Sequence, residues 1–114
     1  MFVGAELDRA DRPAEALPHY LRAARLDPYN TDVHRLLGGA YMRIGRPADA
    51  EREFTEAWKL GDRDPAVAAA VGQLMLDRRS PAEAIGPLRD AVAGDPTDPR
   101  YRALLERAMR EAGR

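Results

Sequence analysis

Arg12-Pro13-Ala14-Glu15-Ala16, Arg46-Pro47-Ala48-Asp49-Ala50 and Ser80-Pro81-Ala82-Glu83-Ala84 are one segment written three times, its proline returning every 34 residues. The same step relates Gly4, Gly38 and Gly72; Tyr20, Phe54 and Leu88; Ala23, Ala57 and Ala91; and Asn30, Asp64 and Asp98. So many columns agreeing at one period mark a solenoid, whose units stack because none can bury its apolar face alone. Scaffolds of that kind bind other chains more often than they catalyse. The period therefore bounds the class of function before any single residue does.

Each repeat reads as two antiparallel helices. Asn30, Asp64 and Asp98 are good N-caps for the first helices, because a short side-chain oxygen accepts amide hydrogens that the first turn leaves unpaired. Pro65 and Pro99 follow in the first turn, where a missing N–H costs nothing, and Pro13, Pro47 and Pro81 open the second helices by the same logic. Helices are expected at about 1–10, 14–26, 31–44, 47–60, 65–77, 81–93 and 98–112. Gly4, Gly38 and Gly72 fall mid-helix, at roughly 1 kcal/mol each relative to alanine. Close approach of a partner helix recovers that cost. Ala16, Ala50 and Ala84 are the matching small residues, Tyr20, Phe54 and Leu88 are knobs, and Val3, Leu7, Leu37, Tyr41, Val71 and Met75 extend the apolar face at helical spacing.

Composition fits such a domain. The 114 residues are 45% hydrophobic and 32% charged, too apolar for a disordered chain. The longest charge-free stretch, Pro65 to Leu76, is too short to cross a bilayer. Met1 to Ala5 is apolar, but Glu6 and Asp8 follow at once, so no signal peptide is expected, and a cytoplasmic location is expected. Without cysteine there are no disulfides or thiolate metal sites. A net charge of −1 argues against a general nucleic-acid binder. A single lysine, Lys59, among 17 arginines points to a GC-rich, bacterial coding sequence.

On these residues the chain resembles the tetratricopeptide repeat family. That unit carries a bulky residue, Leu, Gly and Tyr on its first helix, then Ala, an aromatic, Ala and a closing Pro. The second unit here has His34, Leu37, Gly38, Tyr41, Ala50, Phe54 and Ala57; the third has Ala68, Val71, Gly72, Met75, Ala84, Leu88, Ala91 and Pro96. The first shows Val3, Gly4, Leu7, Ala16, Tyr20, Ala23 and Pro28. His34 and Ala68 replace the usual aromatic, Met75 the Tyr, and Asp62 the closing Pro. The resemblance implies an all-α, right-handed superhelical α-solenoid of three helical hairpins plus a C-terminal capping helix. One repeat domain is expected over 1–114: a first unit at 1–30 truncated at its start, units at 31–64 and 65–98, and a capping helix at 99–112. Tyr101, Leu105 and Ala108 should face inward on that cap, with Glu106 and Arg102 outward.

Little in the chain can carry catalysis, and no enzyme is expected. Ser80, the only serine, reads as an N-cap; His19 reads as surface; His34, in the aromatic packing slot, reads as a half-buried structural imidazole. Glu51/Glu53 and Asp62/Asp64 read as solvated. No metal-ligand spacing and no phosphate loop occur, so no catalytic, metal or cofactor site is expected.

The resemblance instead implies a concave groove that holds a peptide. Its lining would be Met1, Phe2, Ala5, Asp8 and Arg9; then Asp32, Arg35, Leu36, Gly39, Met42 and Arg43; then Ala66, Ala69, Ala70, Gln73, Leu76 and Asp77; and Arg100, Ala103, Leu104, Arg107 and Arg110 from the cap. Arg35, Arg43, Arg107 and Gln73 would make polar contacts, while Leu36, Gly39, Met42 and Ala69 supply floor and clearance. Arginine forks bind carboxylates bidentately, which suits an acidic or C-terminal peptide with a few apolar anchors. Equally, the alanines could be helix-favouring filler, and Asp8, Asp32 and Asp77 could neutralise Arg9, Arg35 and Arg43. The two-carboxylate clamp by which some family members grip heat-shock chaperone tails is absent: its positions hold Met1 and Ala5, Leu36, and Ala66 and Ala70. A second reading is self-association, or attachment to a longer chain, through Met1, Phe2 and Val3 on an uncapped first helix. Nucleic-acid binding by the cap, with five arginines against two glutamates over 99–114, ranks third.

Overall fold

The computed structural model describes residues 12–113, and these form six α-helices and no strand. They are α1 (Pro13–Leu26), α2 (Thr31–Arg43), α3 (Pro47–Lys59), α4 (Pro65–Asp77), α5 (Pro81–Gly94) and α6 (Pro99–Ala112). Each boundary falls within a residue of the position expected from the prolines and caps. The helix expected at 1–10, its groove residues, and the self-association surface at Met1, Phe2 and Val3 lie outside the described residues.

Hydrogen-bond accounting explains the helix ends. Asn30 Oδ1 accepts from the amides of Asp32 and Val33 at 3.0 and 3.3 Å. Asp64 and Asp98 accept from Ala66 and Arg100, each at 2.9 Å. Ser80 departs from expectation: it occupies the N-cap position of α5 but caps nothing, and its Oγ accepts instead from the Arg78 guanidinium. Its backbone is set by the end of α4, where Ser80 N–H bonds Met75 O at 2.8 Å and Arg79 N–H bonds Leu76 O at 3.0 Å. The resulting ψ of 64°, against 107–115° at the three working caps, turns the side chain away from the amides.

That paired closure is a Schellman motif, which puts its C′ residue in the left-handed region and favours glycine there. The same motif ends α2, with Gly45 at φ 78°. In α4 the C′ residue is Arg79, at φ 62°. A side chain there costs about 1–2 kcal/mol. Arg79→Gly is therefore expected to stabilise the chain by about 1 kcal/mol, once the freer unfolded backbone of glycine is subtracted. A higher urea midpoint at unchanged slope would show it, and a lower one would refute it.

Contacts divide the chain into two compact units, Met1–Gly61 and Asp62–Arg114. In the first, α2 packs against both α1 and α3 over a core of Ala16, Tyr20, Val33, Leu37, Ala40, Tyr41, Ala50 and Ala57. In the second, α5 packs against α4 and α6 over Val67, Val71, Leu74, Met75, Ala84, Leu88, Ala91, Tyr101 and Ala108. The repeat-spaced glycines are the contact points. A Cβ on Gly38 would stand 2.8 Å from the Phe54 ring, and one on Gly72 would strike Leu88. Knob and glycine thus meet directly in each unit.

Two side chains are buried against expectation. His34 is 7% exposed rather than half-buried, and Glu53, expected on solvated surface, is 9% exposed. His34 Nε2 lies 2.7 Å from Pro28 O, and since a carbonyl only accepts, Nε2 donates. Nδ1 then faces Glu53 Oε2 at 3.5 Å without a hydrogen bond. Pro18 and Pro87 sit inside α1 and α5. Each removes a ladder hydrogen bond that the local pattern would have supplied.

Candidate functional site

In the second unit, α4 and α6 enclose an open groove of about 720 Å³. Ala66, Ala69, Ala70 and Gln73 form one face of α4, at the i, i+3, i+4, i+7 spacing that aligns side chains on a helix. Arg100, Ala103, Leu104, Arg107 and Arg110 face them from α6, with the edge of Tyr101 between. Three alanines on α4 and one on α6 leave the space between the helices open. The floor is apolar, and three guanidinium groups line the groove with no carboxylate among its residues.

The arginines differ in how they are held. Arg100 bonds Asp98 through Nη2 at 2.6 Å and Nε at 3.0 Å, and its guanidinium lies 5.7 Å over the Tyr101 ring. That side-chain bond, followed by the Arg100 amide N–H, holds the Asp98 carboxyl below the usual carboxylate range. The same contact raises Arg100. Arg107 reaches Glu111 at 3.2 Å, and Gln73 donates to Asp77 at 2.9 Å. Arg110 makes no hydrogen bond or ion pair among the described residues.

Of the eight residues singled out from sequence, Ala69, Gln73 and Arg107 come together here. The other five sit on α2, in the first unit. Arg35 is paired with Asp32 at 2.6 Å, so the neutralisation weighed for it does occur. Leu36 and Gly39 are half-buried, with nothing within 4 Å of where a Gly39 Cβ would stand. Met42 is 46% exposed, and Arg43 is exposed. Leu76 and Asp77 do not line the α4–α6 groove. With Arg79, Pro81, Arg107 and Glu111 they line a second cavity of about 520 Å³. Arg107 belongs to both linings, and its ion pair with Glu111 lies on the side of the second cavity. Tyr101 was expected only as core; it is 9% exposed and still lines the groove.

Among the described residues no three His, Asp or Glu side chains are placed to hold a metal. No described helix is long and apolar enough to cross a membrane.

No curated protein sequence matches the chain. Solved structures match it closely in fold at low identity. MamA superposes with a TM-score of 0.88 at 22% identity, over 99% of this chain and 66% of that one. The chain thus spans just under two thirds of MamA. The first repeat domain of Spaghetti (RPAP3), solved with the HSP90 peptide SRMEEVD, gives 0.81 at 19% identity, over 97% of this chain and 88% of that one. The Yersinia enterocolitica type III secretion chaperone SycD, solved with a peptide of the translocator YopD, gives 0.80 at 16%, over 96% and 89%. A family model described as tetratricopeptide repeat matches residues 9–74. Period, knob-on-glycine packing and that match over more than half the sequence agree, and the chain belongs to the tetratricopeptide repeat family.

Proposed function

We propose that this chain is a non-catalytic interaction scaffold that holds a peptide or partner surface in the groove between α4 and α6. One observation carries the reading: an open groove of about 720 Å³ with an alanine floor, lined by three arginines and no carboxylate. Its size is that of ordinary ligand pockets. The peptides seen on RPAP3 and SycD support the class of function. The groove chemistry favours a peptide with an apolar anchor and a carboxylate, the carboxylate meeting Arg107 or Arg110. Ala69 and Gln73 contribute floor and a polar contact. The face of α2 bearing Arg35, Leu36, Gly39, Met42 and Arg43 is proposed to meet the same class of ligand. The repeat units are assigned as 1–30, 31–64, 65–98 and a cap at 99–112, in a cytoplasmic protein that engages neither nucleic acid nor membrane. The chaperone-tail clamp is not the mode, because Leu36, Ala66 and Ala70 carry neither charge nor amide at its positions.

Ala103 is exposed on α6 and lines the groove, so a larger side chain there fills the site without entering the core. Peptides selected on the wild-type chain from a displayed random library are expected to bind Ala103→Trp at least about tenfold more weakly, the loss of one well-seated anchor. The melting temperature should stay unchanged. Equal binding by both proteins would place the peptide site elsewhere.

A further inference from the structure

Leu26 and Tyr29 are the most exposed large apolar side chains among the described residues, at 81% and 77%. Both stand on the turn between α1 and α2, Leu26-Asp27-Pro28-Tyr29. The fold does not require them there. The 34-residue period puts Arg63 and Thr97 at the place of Tyr29, and Leu60, half-buried, and Gly94 at that of Leu26. The turn is also tied by hydrogen bonds. Asp27 N–H bonds Ala23 O at 2.9 Å, Asn30 N–H bonds Asp27 O at 3.2 Å, and the buried His34 ring holds the Pro28 carbonyl. Asp27 stands between them in sequence and is exposed, and its carboxylate makes no hydrogen bond or ion pair among the described residues.

The α4–α6 groove is the chemical complement of that turn. Its alanine floor suits an aliphatic side chain, and its arginines suit a carboxylate beside an aromatic ring. Guanidinium-over-tyrosine packing is already seen among the described residues, Arg46 over Tyr41 at 5.1 Å and Arg100 over Tyr101 at 5.7 Å. Arg110 makes no hydrogen bond or ion pair among the described residues.

We propose that the Leu26–Tyr29 turn of one copy docks in the α4–α6 groove of a second copy, with Leu26 on the alanine floor, Asp27 against Arg107 and Arg110, and Tyr29 beneath Arg110. A preformed turn entering an open groove loses little conformational freedom, which favours such a contact. The two surfaces differ, so the contact is heterologous: each pairing leaves one turn and one groove free, and association continues until it closes on itself. This surface is distinct from the one expected at Met1, Phe2 and Val3. The proposal rests on the preceding reading only in taking the groove as a docking site.

The test uses the full chain in sedimentation velocity over a wide concentration range, with two variants. Tyr29→Asp spoils the turn and keeps the groove; Ala103→Trp fills the groove and keeps the turn. Circular dichroism establishes that each variant keeps the wild-type helical signal, and Leu26→Asp and Ala66→Trp replace either one that does not. Wild type is expected to grow past the dimer as concentration rises. Each variant alone should stay monomeric, its association weakened more than about tenfold. An equal mixture of the two should form a species of two copies and no larger, because one complete pair of surfaces remains. Wild type that stays monomeric, growth that neither variant affects, or a mixture that stays monomeric would overturn the proposal. Peptide capture without self-association would remove the second copy and leave the peptide reading. Self-association blocked by Ala103→Trp, with no peptide selected, would do the reverse.

Discussion

Gly38→Leu is expected to lower stability by about 1–3 kcal/mol, seen as a lower urea midpoint at unchanged slope. The added side chain has nowhere to go. Even its first carbon would lie 2.8 Å from three atoms of the Phe54 ring, which is flat, rigid and set against α2. At Gly72 the new carbon would meet Leu88 Cγ and Cδ2. Cγ is the branch point of that side chain, and a rotation of its end does not clear it. Shrinking the knob should relieve the clash: Gly38→Ala costs less in a Phe54→Ala background than in wild type. The double-mutant cycle should give a coupling of about 0.5–3 kcal/mol, the range for residues in contact. Additive effects would mean that Phe54 does not bear on Gly38.

What could be read from the sequence divides along the same physical line. Helix boundaries were legible because their signals are local: an Asn or Asp two or three residues before the amides it satisfies, a proline where no N–H is needed. The glycines and the knobs were each legible because they repeat at a fixed period. Their pairing was not: by sequence Gly38 and Gly72 match Ala50 and Ala84, whereas in the structure they meet the knobs Phe54 and Leu88. The α4 side of the groove, Ala66, Ala69, Ala70 and Gln73, followed from the family resemblance, and these four residues share one helical face. Leu76 and Asp77 continue that face in sequence, yet they line a different cavity with Arg79, Pro81 and Glu111. Where one space ends and the next begins depends on a second helix, which the spacing of the first does not contain. Ser80 failed as a cap for a similar reason: the end of α4 fixes its backbone before α5 begins. Glu53 was illegible altogether, because a glutamate beside Glu51 and Arg52 looks like any solvated helix position until α2 is laid against it.

Glu53 and His34 supply the other large effect. His34→Phe restores the family's aromatic at that position but leaves the Glu53 carboxylate buried without its partner. A cost of about 1–3 kcal/mol is expected, because the Pro28 carbonyl also loses its donor. Glu53→Leu alone removes the carboxylate and sets a leucine against His34 Nδ1, which makes no hydrogen bond in the wild type either, so it should cost less than His34→Phe. The double substitution His34→Phe/Glu53→Leu should be neutral or stabilising, because well-packed apolar groups commonly replace buried polar side chains without loss. The chain itself contains a precedent. One period later the same two positions hold Ala68 and Pro87, both buried and both apolar. The fold therefore accepts an apolar pair at this place, and the polar pair is particular to the first unit. There the ring also fixes the Pro28 carbonyl of the exposed turn. The double variant should accordingly keep or raise the melting temperature while loosening residues 26–30, read as faster amide exchange at Asn30. A double variant less stable than either single one would show that the pair stabilises the unit beyond what apolar packing can replace.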